Sequence, residues 1–385
     1  MTRHERYSGL HMNALLSDEP MREALALAER AIGLSDPNPR VGCVIVGAEG
    51  ALVGRGHTQE AGGAHAEVMA LRDAASRGES VVGATVFVTL EPCSHHGLTP
   101  PCADALVAAG VGRVVMAMRD PNPLVAGRGA ARLAAAGIAI AFGPCETEAH
   151  ALNVGFVSRM ERGRPWLRMK AAVSLDGRTA LADGTSQWIT GEAARIDGHA
   201  WRKRAGAVLS GVGTVREDDP RLDVRHVRTA RQPMRVVVDS RLETPPSARL
   251  LAPPGCVRLY AAATEDGGLA QRRAVLEARG AVIAMRPSAN GRVDLEAMLQ
   301  DLGAIGINEL HVEAGEKLNA SLLAAGLVDE LLVYVAPSLL GPGRGLAALA
   351  PLASLDTRLQ FAFTQVDRIG EDLRLLLRPV PPPAH

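Results

Sequence analysis

From about residue 20 the chain alternates two hydrophobic periods, and this alternation limits the possible folds more than any other property of the sequence. Leu25, Ala28 and Ile32 recur at three- and four-residue spacing, which predicts a helix over Met21–Gly33. A buried strand is expected at Val41–Ala48, a helix at Ala66–Arg77, a β-rich run at Ala84–Leu90, a short helix at Ala103–Ala109 and a strand at Arg113–Met118. One more helix over Gly127–Gly137 and a strand over Ile138–Phe142 complete an α/β unit of ordinary domain size. The pattern then loosens into a polar, Arg-containing stretch and resumes at Trp166. Strand-like runs there include Trp166–Val173, Val208–Gly211, Arg235–Asp239, Glu309–Glu313 and Glu330–Ala336, with helical segments at Glu192–Arg204, Leu269–Arg279 and Glu316–Ala325. The expected organisation is a flexible extension at 1–18, an α/β domain at 19–145, a linker at 146–164 and a second α/β domain at 165–380. A length of 385 residues agrees, at about 150 residues per domain. The Pro-rich tail after Val380 reads as frayed.

Composition removes whole classes of function. Forty-two Lys and Arg cancel 42 Asp and Glu, so the chain has no basic excess to neutralise a phosphate backbone. Eleven aromatic residues are too few for an extended base-stacking platform, and a polynucleotide partner is disfavoured on both counts. Apolar runs such as Ala84–Leu90 and Ala134–Phe142 fall far short of the roughly 18 residues that cross a bilayer. Residues 1–18 carry Arg3, His4, Glu5 and Arg6 and do not read as a secretory signal, so the cytoplasm is the expected location and no membrane partner is expected. Five cysteines, an odd number in a long chain, do not form a disulfide framework.

Two of those cysteines belong to the strongest chemical signal. His65-Ala66-Glu67 is followed by Glu91-Pro92-Cys93 and Pro100-Pro101-Cys102. One imidazole and two thiolates make three zinc ligands and leave a fourth tetrahedral position for water, the arrangement of a catalytic site. Residues two apart do not share a helix face, so His65 and Glu67 should lie where a helix begins. Cys102 follows two prolines and precedes a helical run, and a helix N-terminus favours its thiolate. Glu67, not itself a ligand, is placed to take a proton from water and pass it to a departing amine, which is hydrolytic deamination. The pattern matches the H-x-E…P-C-x-x-C signature of zinc nucleobase deaminases, except that its cysteines are nine positions apart instead of three. The alternative is a structural zinc knuckle, closed by His95 or His96, or a pair of buried thiols. Cys43, Cys145 and Cys256 lack ligand spacing and read as structural thiols.

The second half carries no Rossmann fingerprint, because Gly211-Val212-Gly213 and Gly341-Pro342-Gly343 both lack the last glycine of the motif. Gly211 and Gly213 nevertheless follow a strand-like run, and Glu313-Ala314-Gly315 ends another just before a helix. Backbone amides at both places can cradle phosphates; ordinary turn glycines are the alternative.

Pro37-Asn38-Pro39, Val41-Gly42, His65-Ala66-Glu67, the long Cys93-to-Cys102 insertion and Asp120-Pro121-Asn122-Pro123 together resemble the bifunctional deaminase/reductase family of riboflavin biosynthesis. Ser174-Leu175-Asp176-Gly177-Arg178, Ser186-Gln187-Trp188-Ile189-Thr190, Asp218-Asp219-Pro220 and Val312-Glu313-Ala314-Gly315 resemble its reductase half, so the likeness covers almost the whole chain. It implies an N-terminal cytidine-deaminase-like three-layer domain and a C-terminal domain similar to dihydrofolate reductase. It also implies zinc on His65, Cys93 and Cys102, proton transfer by Glu67, and a pyrimidine pocket lined by Asn38 and His57. Leu98 stands where the family often has a basic residue. NADPH contacts are implied at Ala172, Trp188, Thr214, Asp218, Ser240 and the run Gly315, Glu316, Lys317, Leu318, Asn319, Ala320 and Ser321. Substrate contacts are implied at Ser186, Arg202, Leu222, Arg225 and Glu313, with the two arginines as clamps on a ribose phosphate. The expected partner is a small phosphorylated pyrimidine, and a homo-oligomer is expected. The rival readings are a nucleic-acid base deaminase with an appended domain, and a nucleotide-binding protein with structural zinc.

Overall fold

The computed structural model describes residues 18–95, 100–123, 125–252, 254–262 and 267–380. The expected extension at 1–18 apart from Asp18, the loop positions His96 and Leu98, and the tail after Val380 lie outside these residues. The chain divides into two compact units, with the division between Arg162 and Gly163.

The first unit runs α1 (Glu19–Glu29), β1 (Gly42–Val46), β2 (Leu52–His57), α2 (Ala66–Ser76), β3 (Thr85–Val88), α3 (Cys102–Ala108), β4 (Arg113–Met116), α4 (Arg128–Ala135), β5 (Ala139–Phe142), α5 (Glu146–Leu152) and α6 (Val154–Arg162). Its sheet has the order β2-β1-β3-β4-β5, antiparallel on both sides of β1 and parallel from β3 to β5. Two glycines show how the helices cover it. A Cβ on Gly42 would fall 1.8 Å from the Ala24 carbonyl of α1, and one on Gly56 would fall 2.2 Å from the Ala66 carbonyl of α2. Gly56 pairs with Cys43, the residue after Gly42, and successive residues of a strand face opposite ways. Helices α1 and α2 therefore cover opposite faces, which makes the unit three-layered.

The expected linker at 146–164 is instead helical. Asn153 divides α5 from α6, and its side chain both accepts from Arg40 N (2.8 Å) and donates to Arg40 O (2.9 Å). Ala149, Phe156 and Val157 enter the same apolar core as Met21, Val44 and Leu106. Burial of that face holds the segment on the first unit, although Arg159, Glu161 and Arg162 make it read as polar.

The second unit contains β6 (Trp166–Ser174), β7 (Arg178–Leu181), α7 (Glu192–Arg204), β8 (Ala207–Gly211), α8 (Val212–Asp218), β9 (Met234–Val238), β10 (Val257–Ala261), α9 (Leu269–Ala278), β11 (Ala281–Met285), α10 (Leu295–Ala304), β12 (Glu309–Val312), α11 (Glu316–Ala324), β13 (Glu330–Ala336), β14 (Gly343–Gly345), β15 (Phe361–Ile369) and β16 (Asp372–Pro379). Nine strands form one sheet in the order β11-β10-β9-β8-β12-β6-β13-β16-β15, parallel as far as β13 and antiparallel beyond it. The interior strands are almost continuously buried, as expected for parallel strands covered on both faces.

Candidate active sites

In the first unit, the start of α2 resolves the spacing problem of His65 and Glu67. His65 is the N-cap, with extended backbone (φ −76°, ψ 167°), while Glu67 sits in the first helical turn. Both side chains line one cavity of about 280 Å³. Helix α3 begins at Cys102, and the Cys102 N–H points at Cys93 Sγ at 3.3 Å. His65 Nδ1 lies 3.5 Å from Cys93 Sγ and 3.3 Å from Cys102 Sγ. Tetrahedral zinc, bonded at about 2.0–2.1 Å to nitrogen and 2.3 Å to sulfur, separates such atoms by about 3.6 Å. The donors therefore fit zinc with only small movements. Among the described residues the ligand group has three members, and His95 is not one of them.

The electrostatics suit this chemistry. Hydrogen bonding from Cys102, joined by that from His65, outweighs burial and holds the Cys93 thiol well below its usual range. The same Cys93 contact, followed by burial, holds the Cys102 thiol up. Glu67 is 4% exposed, and burial, reinforced by Cys93, pushes its carboxyl up to about 7. It can thus hold or release a proton near neutrality. Asn38 joins the cavity wall; His57 does not, lying at the end of β2 opposite Gly42, with burial lowering its pKa. Glu91 accepts from Gly127 N (3.0 Å), Ala130 N (3.0 Å) and Asp120 N (3.3 Å), which ties the Pro92-Cys93 turn to the start of α4.

In the second unit, β8 and β12 are parallel neighbours, and each leads into a helix capped by glycine, Gly211 for α8 and Gly315 for α11. A Cβ on Gly211 would meet Leu318 at 3.4 Å, and one on Gly315 would meet Thr214 Oγ1 at 3.5 Å, so the two helix starts converge. Thr214 and the Gly315–Ser321 run gather there. Ala172 lies on the neighbouring strand β6, and Ser240 just beyond β9. Within the run, Asn319 spends its amide on Ala314 O and Leu346 O, and Ser321 donates to Lys317 O. Asp218 closes α8, where burial raises its pKa. Ser186 and Trp188 lie on the segment between β7 and α7, with Arg195 over the indole ring at 4.6 Å.

The expected pair of phosphate clamps divides. Arg202 donates from Nε to Glu313 Oε1 (2.5 Å) and from Nη2 to Glu313 Oε2 (2.8 Å), while Nη1 donates to Asp223 O (2.9 Å). Its bidentate fork is filled by a carboxylate of the chain itself. Strand alternation explains why, since Glu309 and His311 point to the same face of the sheet as Glu313. Arg204, on the same helix as Arg202, pairs with Glu309. Burial alone would raise the Glu313 carboxyl, but Arg202 outweighs it and holds the group well below the usual range. Arg225 is more exposed and pairs with Asp223, which Arg221 also holds, and Leu222 between them is buried at φ 52°.

Comparison with known proteins gives the same division of the chain. Residues 16–118 match the cytidine and deoxycytidylate deaminase zinc-binding region, and residues 165–375 match the RibD C-terminal domain. The riboflavin biosynthesis protein RibD of Escherichia coli is 46% identical over 370 residues, covering 93% of this chain and 98% of its own length. The solved structure of Acinetobacter baumannii RibD superposes with a TM-score of 0.85 at 42% identity, covering 94% of this chain and 99% of that one. The chain belongs to the RibD family. It is a bifunctional deaminase/reductase of riboflavin biosynthesis, with a deaminase-like first domain and a RibD C-terminal domain as its second. A Thermotoga maritima structure described as a diaminohydroxyphosphoribosylaminopyrimidine deaminase/5-amino-6-(5-phosphoribosylamino)uracil reductase has a TM-score of 0.83 at 30% identity, covering 94% of this chain and 98% of that one.

Sequence reasoning missed part of what this RibD-family chain places at its sites. Phe156, Arg159 and Met160 of α6 line the deaminase cavity, and a segment read as linker gave no reason to seek them there. Asp120, which opens the Asp120-Pro121-Asn122-Pro123 motif, lines the cavity as well, and burial pushes it up to about 6. Beside Glu313 stand Lys170, whose pKa burial lowers, and fully buried His311, whose Nε2 is 3.2 Å from Glu313 Oε1 without the direction of a hydrogen bond. The available signal was a basic residue within a buried strand, at Arg168, Lys170 and His311 alike.

Proposed function

We propose that the first unit deaminates 2,5-diamino-6-(5-phosphoribosylamino)pyrimidin-4(3H)-one and that the second reduces the ribosyl side chain of the product to ribityl with NADPH. The observation that carries this reading is the buried Glu67 sharing one cavity with His65 and Cys93, two of the three donors that fit zinc. Zinc bound by His65, Cys93 and Cys102 would supply the Lewis acidity that makes water nucleophilic at neutral pH. Water adds at the amine-bearing ring carbon, Glu67 accepts its proton and returns it to the departing nitrogen, and ammonia leaves a uracil. Asn38 on the cavity wall is placed to orient the ring.

NADPH held at the converging starts of α8 and α11 would supply the hydride, with ribose C1′ as acceptor in its ring-opened imine form. In this reading Arg202 orients Glu313, and Arg225 is left to meet the ribose phosphate. Asp218 and Glu313 are the two candidates for the proton donor; Arg202 holds the Glu313 carboxyl low, and burial raises that of Asp218. The proposed setting is a cytoplasmic homo-oligomer. Among the described residues no helix is long and apolar enough to cross a membrane, and edge strand β15 exposes Phe363 and Val366.

Metal content together with NADPH oxidation on the phosphorylated pyrimidine tests the whole reading; zinc without turnover would leave a nucleotide-binding protein. Replacing Arg225 by Ala should raise the reductase KM, and replacing Arg202 by Ala should lower kcat more than it raises KM. An unchanged KM in the Arg225 variant would remove it as the phosphate contact.

A further inference from the structure

We propose that Arg159, on α6, is a specificity residue of the deaminase site and receives the phosphate of the substrate. The inference rests on the reading that this site acts on a phosphorylated pyrimidine. The cavity wall carries three carboxylates, Glu67, Glu91 and Asp120, which would repel a phosphate. Arg159 is the one Arg or Lys among the described residues that line it. The core contact of Phe156 fixes the rotation of α6, and Arg159 and Met160 are thereby turned to the cavity. Arg159 Nη2 donates to Pro37 O at 3.0 Å, and its guanidinium lies 5.7 Å from the centre of the Phe156 ring. The first contact places the cation beside Asn38, so ring and phosphate are met from adjoining positions. The side chain is half-buried, whereas Glu67 at the reacting end is almost fully buried. A guanidinium fork matches phosphate bidentately, and an ammonium does not.

The test compares deamination of the phosphoribosyl substrate and of its dephosphorylated ribosyl counterpart by the full-length zinc enzyme. Arg159→Gln should raise KM for the phosphorylated substrate by about 10- to 100-fold, the loss of a charge-assisted contact, with kcat little changed. KM for the ribosyl compound should stay within about threefold. Arg159→Lys should recover part of the loss. Ribose 5-phosphate should inhibit the wild type competitively, and weaken as an inhibitor of the Gln variant by the same factor as the substrate. An equal loss on both substrates would make Arg159 an anchor of the Pro37–Asn38 loop only, and no loss would remove it from the site; either overturns the inference. If the Gln variant does not fold, judged by zinc content and reductase rate, the Lys variant decides, because a KM ratio between the substrates equal to wild type overturns the inference equally. Failure of the wild type to deaminate either compound would instead defeat the functional reading beneath it.

Discussion

Two buried carboxylates of the deaminase cavity differ in what they face. Glu91 has its oxygens occupied by three backbone N–H groups and behaves as a fastening. Glu67 faces the thiols and is pushed up to about 7 by burial, so it has a proton to exchange. Replacing Glu67 by Gln should cut ammonia release by about 10²- to 10⁴-fold while zinc stays bound and the reductase rate is kept. Metal analysis beside the two assays checks this, and loss of zinc would recast Glu67 as a ligand or support. The ligand residues were legible in the sequence because few side chains bind zinc and their chemistry survives a change of spacing from three to nine. Arg202 was legible as a charge but not in its use. Only the alternation of β12 under α7 shows that Glu313 occupies it.

At the scale of elements, helix and strand patterns identified most of the α/β framework but not β2. Its sequence, Leu52-Val53-Gly54-Arg55-Gly56-His57, has no apolar alternation, because α2 presses onto the strand where side chains would stand. Gly56→Ala tests this. The new Cβ would lie 2.2 Å from Ala66 O and 2.5 Å from Ala70 N, forcing α2 outward together with His65 and Glu67. The expected result is a loss of about 1–3 kcal/mol in the stability of the first unit, with weakened zinc retention. Denaturant unfolding followed with zinc release measures both, and an unchanged midpoint would show that the helix and strand can separate at no cost. Edge strand β15 escaped notice for a related reason, since its central residues are exposed and only Phe361 and Ile369, at its two ends, pack against the apolar cores.

For the molecule as a whole, the residues of each proposed reaction come from one unit, with the zinc donors and Glu67 before Arg162 and the converging glycine-capped helices and Glu313 after it. Variants of Glu67 and Glu313 should therefore each impair one step and spare the other. An equimolar mixture of Glu67→Gln and Glu313→Gln should form the ribityl product after a lag, as released intermediate passes through solution. Chromatography of the products checks this, and a mixture that stalls at the deaminated intermediate would refute free exchange. Net neutrality, which disfavours a polynucleotide partner, is no obstacle to such an intermediate, since one phosphate needs only one or two well-placed arginines. The packing of α5 and α6 on the first core also determines where the two activities can be divided genetically. A gene cut at codon 145 would yield a deaminase without Phe156, Arg159 and Met160 in its wall. The junction lies at Gly163, since Arg164 already pairs with Asp329 of the second unit, and a free-standing deaminase that keeps this wall has to run through α6 to Arg162.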